Sequence, residues 1–442
     1  MKKVLVILYY WPPAGGSAVQ RWLKFSKYLR DYGWEPIIYA PENAQYPETD
    51  EELLKEIPEG LKIIRRPILE PFDLYKKFVG IKKEEKLAAS MTMKTRPKGF
   101  RKIKNDLAFW VRSNFFIPDA RCFWIKPSVK FLIKYLIESP VDVIVTTGPP
   151  QSLQLIGYHL HKQTGIPWVA DFRDPWTSID FYRELKLTRI ADRRHHKLES
   201  RVLKTASHVV VIGPNMKEEF SKIVARNISV ITNGYDESDL PAGGIKLSEK
   251  FTLVHLGTLS ATRNAPALWQ ALADKASDEP QFASDLCIRL VGNIDHSVLE
   301  SIEALNLRPY LEEAGFVPHR EAMEILASSH CLLLLINRSV NSLGVITGKF
   351  FEYLASGRPI LLIGPPDGDA AAILKETNGG FAAGFDDIST VRSHIDELYK
   401  LYQSGKPFQP GKDTAKYSRQ ALTGELSLLL DSLSGKEGPF PQ

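Results

Sequence analysis

The chain alternates between short runs of aliphatic and β-branched residues and longer stretches in which apolar positions recur at helical spacing. Residues 4–9, 35–39, 141–146, 168–170 and 208–212 read as strands, with amphipathic segments between several of them. The runs are continuous, so they predict strands covered on both faces, as in a parallel sheet with crossover helices. Between residues 235 and 250, Asp-Glu-Ser-Asp and Pro-Ala-Gly-Gly interrupt both periods. The rhythm restarts at Phe251-Thr-Leu-Val-His-Leu-Gly and continues at Leu286-Cys-Ile-Arg-Leu-Val-Gly, at 331–336 and at 359–363. The expectation is an α/β chain of two Rossmann-like domains. Residues 1–245 form the first, with a helical, basic insertion at about 70–125 that breaks the βαβ rhythm. Residues 246–410 form the second. The segment 411–442 contains an amphipathic helix that either caps the second domain or crosses back to the first, followed by a frayed tail.

Composition narrows the class. With 442 residues, 44% hydrophobic and 25% charged, the chain has enough apolar content for two cores and is not a disordered sequence. Cys122, Cys287 and Cys331 are far apart and never spaced as CxxC, so neither a disulfide framework nor a zinc site is indicated, and the usage fits a reducing cytoplasm. The apolar start ends at Pro12-Pro13 and reads as a buried first strand, not a cleaved leader. No run approaches the roughly 20 apolar residues of a membrane span, so any membrane contact is expected to be peripheral, on the inner face.

Net charge is +5, yet eleven Lys or Arg between residues 76 and 104 face only Glu84 and Glu85. That segment is either a solvated insertion or a patch attracted to anionic headgroups or a lipid-linked phosphate. Phe109, Trp110, Phe115, Phe116, Phe123 and Trp124 follow, as core or as membrane-interface residues. No reader motif accompanies the charge, so nucleic acid is not an expected partner.

Five places carry candidate chemistry. After the first strand, Trp11-Pro-Pro-Ala-Gly15-Gly16-Ser17 is a glycine-rich turn into a helix, suited to bring backbone N–H groups near an anion, with Ser17 as candidate cap. It matches neither the dinucleotide nor the P-loop pattern, and a purely structural role fits it equally. Thr147-Gly148-Pro149 would sit at the carboxyl end of a strand, where open α/β sheets bind ligands. Asp171-Phe-Arg173-Asp174-Pro-Trp176 ends another strand with two acids flanking a base; it would orient hydroxyls or move a proton, or else form an internal ion pair. His195, His196 and Glu199, on an Arg-rich helix, face either the cleft or the surface, with the surface favoured. In the second half, Arg263 follows the first strand and offers a fork for phosphate oxygens. Lys349 and Glu352 share one helical face after Thr347-Gly348, either as phosphate and ribose ligands or as a surface salt bridge.

Those pieces in that order resemble the retaining nucleotide-sugar glycosyltransferases of family 4, which have the GT-B fold. The resemblance is carried by Gly348-Lys-Phe-Phe-Glu-Tyr-Leu-Ala-Ser-Gly-Arg-Pro, with Asp171-Phe-Arg-Asp-Pro-Trp, Thr232-Asn-Gly-Tyr-Asp and Gly315-Phe-Val-Pro-His in support. It implies a donor site in which Gly16 approaches the phosphates, Arg263 and Lys349 neutralise them, Glu352 holds the ribose, and Phe316 and Val317 contact the base. It also implies an acceptor side around Gly148, Pro149, Asp171, Arg173 and Trp176. Many members carry a glutamate eight positions before the ribose ligand, where this chain has Gly344, so sugar recognition differs there.

The expected activity is transfer of a hexose-type sugar from a UDP- or GDP-sugar to a glycan or lipid-linked acceptor, without metal or other cofactor, in surface polysaccharide assembly. A nucleotide-sugar epimerase of the same shape and a silent nucleotide-sugar-binding scaffold are the alternatives.

Overall fold

The computed structural model describes residues 1–70, 100–240 and 246–435. The boundary expected near residue 245 and most of the basic stretch from residue 76 lie outside the described residues. The chain divides into two compact units: residues 1–232 with the segment from Leu422 onward, and Asn233–Ala421.

The first unit holds seven parallel strands: β1 (Lys2–Ile7), β2 (Trp34–Pro41), β3 (Lys62–Arg66), β4 (Val143–Gly148), β5 (Trp168–Phe172), β6 (His208–Val211) and β7 (Ile228–Val230). Their order is β3-β2-β1-β4-β5-β6-β7, with Leu5 opposite both Ile37 and Ile144. The second unit holds six: β8 (Phe251–Leu256), β9 (Leu286–Val291), β10 (Leu311–Gly315), β11 (Cys331–Leu335), β12 (Ile360–Ile363) and β13 (Gly380–Ala383), in the order β10-β9-β8-β11-β12-β13. All pairings in both sheets are parallel, as the continuous apolar runs predict.

Continuous apolar strands let each sheet feed two cores. Leu5 and Ile7 pack with Trp168 and Phe172 on one face, and Val4 and Val6 with Trp22 and Trp34 on the other. In the second unit Leu253 and Leu333 join Trp269 and Tyr399, whereas Val254 and Leu332 meet Phe350 and Tyr353. Each such side chain contributes about 1.5–3 kcal/mol by leaving water. Leu422, Leu426 and Leu430, four residues apart on one helical face, complete the Val4–Trp34 core together with Leu433. Asp431 accepts a 3.2 Å hydrogen bond from Trp34 Nε1 and pairs with Lys2.

In each sheet the strand order reverses once, between β1 and β4 and between β8 and β11. Loops leaving the two strands at such a point diverge and open a crevice at their carboxyl ends. Among the described residues, no helix is long and apolar enough to cross a membrane.

Candidate functional site

In the second unit, the loops leaving β8 and β11 bring the predicted cations together. β8 ends at Leu256, and Gly257 follows with φ +95°, a conformation that a Cβ would strain; that Cβ would also sit 3.3 Å from Lys349 Nζ. Arg263 closes a 3-10 turn, Ala261–Arg263. Its Nε donates to Asn337 Oδ1 at 2.5 Å and its Nη1 to the Thr258 carbonyl at 3.1 Å. Asn337 lies just past β11, so this bond spans the point of reversal.

Lys349 stands in the first turn of the helix Gly348–Ala355. Its ammonium donates to the Leu256 carbonyl at 2.5 Å and lies 3.4 Å from His255 Nε2. His255 is fully buried, and its Nδ1 donates to the Leu333 carbonyl at 3.1 Å, which leaves the Nε2 lone pair facing the ammonium. Burial first, then the Lys349 charge, holds this imidazole well below its usual pKa. Burial and the Arg263 guanidinium push the Lys349 ammonium down to about 7, with Glu352 opposing.

No ion pair joins Lys349 to Glu352, although their spacing would allow one: the lysine turns to the end of β8 instead. Burial raises the Glu352 carboxyl, which sits in the field of His319, Asp239 and Arg419. Thr347 occupies the N-cap position without capping, and its Oγ1 is buried with no hydrogen-bond partner. The Tyr353 hydroxyl accepts from Leu256 N–H at 3.0 Å and ties the helix to β8. A helix N-terminus, an ammonium and a guanidinium thus converge at one switch point, a combination suited to a diphosphate. Phe316 is 93% exposed and Val317 half-buried, both just beyond β10. Gly344 ends a 3-10 turn, Ser342–Gly344, and its N–H donates to the Asn341 carbonyl at 3.0 Å.

The first unit places its candidates around the β1/β4 reversal with different outcomes. Gly15 N–H donates to the Glu48 carbonyl at 2.9 Å. Gly16, at φ +81°, is the N-cap of the helix Ser17–Tyr28, so Ser17, expected as the cap, is its first residue. Arg173 donates from Nη1 to the Ala18 carbonyl at 2.9 Å and from Nη2 to the Pro149 carbonyl at 2.8 Å. It braces both loops, and burial lowers its pKa. Gly148 accepts from Arg173 N–H at 3.0 Å, and Asp174 is exposed.

Two candidates are corrected. Asp171, expected at the acceptor, is buried and spends both oxygens internally: Arg21 donates to Oδ1 at 2.9 Å and to Oδ2 at 3.2 Å, and Trp22 Nε1 to Oδ2 at 2.9 Å. The internal ion pair therefore exists, with Arg21 as the partner. Trp176, also expected at the acceptor, points into the core and donates to His195 Nδ1 at 3.1 Å. That bond buries His195, whose pKa falls to about 4 through desolvation. Glu199 is buried too, accepting from Thr177 N–H at 3.1 Å and Thr177 Oγ1 at 2.5 Å. Of the three residues expected at the surface, His196 alone is exposed.

Sequence reasoning missed His255, Asn337 and Arg21. A histidine within an apolar strand is a signal for the first. Asn337 and Arg21 gain their roles from partners 74 and 150 positions away, which no local pattern reveals.

Two doubly wound parallel sheets, one in each unit and the second with a cationic switch point, define the fold as GT-B. Residues 93–239 match the family model Glycosyltransferase Family 4. The fold is similar to that of sucrose-phosphate synthase from Thermosynechococcus elongatus, at 14% identity and TM-score 0.59 over 98% of this chain and 99% of that one. It is also similar to HepE from Anabaena, solved in complex with UDP-glucose, at 14% identity and TM-score 0.53 over 97% of each chain. A putative UDP-N-acetylglucosamine 2-epimerase from Listeria monocytogenes shares it at 11% identity and TM-score 0.55, over 97% of this chain and 96% of that one. No curated protein matches the chain by sequence.

Proposed function

We propose that the protein transfers a hexose-type sugar from a UDP- or GDP-sugar to a glycan or lipid-linked acceptor, with retention, on the inner face of a membrane. The observation that carries this reading is the convergence of Lys349, Arg263 and the Gly348 helix N-terminus, with Lys349 turned away from Glu352. Donor cleavage leaves a nucleoside diphosphate whose negative charge grows in the transition state. Cations already fixed by Leu256, Asn337 and Thr258 stabilise that charge without reorganising, which raises turnover rather than mere affinity. With two cations and a helix end at the diphosphate, we propose a reaction that needs no divalent ion, so activity should persist in chelator. Glu352 receives the ribose hydroxyls, and Phe316 and Val317 the base. In the first unit, Gly148, Pro149, Arg173 and Asp174 serve the acceptor. Retention follows if the acceptor hydroxyl attacks on the face the diphosphate leaves and gives its proton to that diphosphate.

The test is calorimetric binding of UDP, GDP and ADP to wild type, Lys349→Ala and Glu352→Ala. One nucleotide should bind, and each substitution should weaken it by about 1.5–3 kcal/mol, the worth of a charged hydrogen bond. If no nucleotide binds, the reading falls. Sugar epimerised without release of free nucleotide in the presence of acceptors would instead select the epimerase shape.

A further inference from the structure

Within the expected insertion lies the helix Phe100–Phe115. Ala108 turns inward and is buried, whereas Leu107, Trp110, Val111 and Phe115 are exposed, Phe115 by 70%. Their spacing of three, four and eight residues from Leu107 puts all four on one face. Contiguous exposed apolar side chains rimmed by polar residues mark an interaction site, unlike single ones.

Asn114, seven residues after Leu107 and on the same face, ties the end of that stripe to the loop that holds Lys186 and Thr188. Its Oδ1 accepts from Thr188 N–H at 2.7 Å and its Nδ2 donates to the Lys186 carbonyl at 3.4 Å. These bonds bring Phe115 next to the start of a second helix, Arg189–Thr205, where Ile190 is 83% exposed. That helix is two-faced in another sense. Ala191, His195, Glu199, Val202 and Leu203 are buried. The opposite face carries Arg189, Arg193, Arg194, Lys197, Arg201 and Lys204, all exposed. Over about 25 Å of helix these six form a ridge of one sign. Among the described residues, the ion pair on this helix is His196 with Asp192, at the ridge's edge, so the six charges are not neutralised there.

We infer that this combined surface docks the first unit on an anionic lipid bilayer, with the ridge along the headgroups and Trp110, Phe115 and Ile190 entering the acyl boundary. The inference extends the membrane-side acceptor of the proposed function by naming the surface. Basic residues are drawn to anionic headgroups, and apolar and aromatic side chains beside them gain by insertion. A second copy of this chain is disfavoured as occupant, because a two-fold contact would set the ridge against itself. Duplex nucleic acid would satisfy the cations and leave the apolar stripe in water.

The experiment is flotation of the full chain with vesicles of phosphatidylcholine alone, or mixed with phosphatidylglycerol, at low salt and at about 1 M salt, where the screening length shrinks to about 3 Å. Binding is expected only to the anionic vesicles, and much weaker in high salt. Arg193→Glu/Arg194→Glu/Lys197→Glu should reduce the partition by at least about tenfold, and Trp110→Ser/Phe115→Ser should reduce it without changing net charge. Nucleotide calorimetry on the same proteins should be unaffected, since both changes lie in the other unit from Lys349. Equal binding to neutral vesicles, wild-type binding by both variants, tighter binding to duplex DNA, or dimerisation lost on charge reversal would each overturn the docking inference. Absence of nucleotide binding by wild type would overturn the donor reading and leave the vesicle result standing.

Discussion

At Lys349, burial and Arg263 act in the same direction, and the ammonium releases its proton near pH 7, well under its ordinary 10.5. A bound diphosphate favours the charged form, so binding above pH 7 must take up a proton. Affinity for UDP should then fall by up to about tenfold per pH unit above neutrality. Calorimetry in two buffers of different ionisation enthalpy would reveal the proton uptake. Lys349→Arg keeps its charge throughout and should flatten the profile. A profile unchanged by that substitution would remove Lys349 from the phosphate. Stability of the unliganded chain runs the other way. Between pH 7 and 10.5 the unfolded lysine holds a proton that the folded one lacks, so folding gains as pH rises. Lys349, Arg263 and Glu352 were legible because their chemistry and order along the chain suffice to nominate them. His255 was not, because nothing local says that an imidazole inside a strand will turn its lone pair to a lysine 94 positions on.

Among elements, legibility followed position in the sheet. Nine strands were readable as apolar runs. The four that were not, β3, β7, β10 and β13, are the four sheet edges. Most of their residues are half-buried or exposed, as in Leu311–Gly315, so the continuous apolar signal is missing. The acid at Asp171 was visible in the same way, while its use was not. It joins β5 to the helix Ser17–Tyr28 through Arg21 and Trp22, a tie between elements instead of a contact with substrate. Asp171→Asn should therefore strand the buried Arg21 charge and cost about 3–5 kcal/mol in urea unfolding of the first unit. Nucleotide affinity in the second unit should be unaltered. A fully stable Asp171→Asn protein that has lost acceptor turnover would return Asp171 to the active site.

For the molecule as a whole, sequence and structure agree on two α/β units. The sequence left open where the C-terminal helix goes; the structure packs Leu422, Leu426, Leu430 and Leu433 into the first unit's core. Leu430→Ala should cost about 2–5 kcal/mol through the cavity it leaves. Amide exchange should locate that loss in β1 and β2, far away in sequence, with β8 and β9 protected as before. The same arrangement orders events on the ribosome. Units ordinarily fold as they emerge, N-terminal first, at about 5–20 residues per second. Here the second unit, one uninterrupted span, has all its strands and helices once Ala421 is made. The first begins synthesis earlier yet waits for Leu422–Leu433 to cover Val4, Val6 and Trp34. The nascent chain therefore carries an open apolar face through synthesis of the entire second unit, and this is the interval in which a chaperone that holds exposed apolar surface would find its substrate.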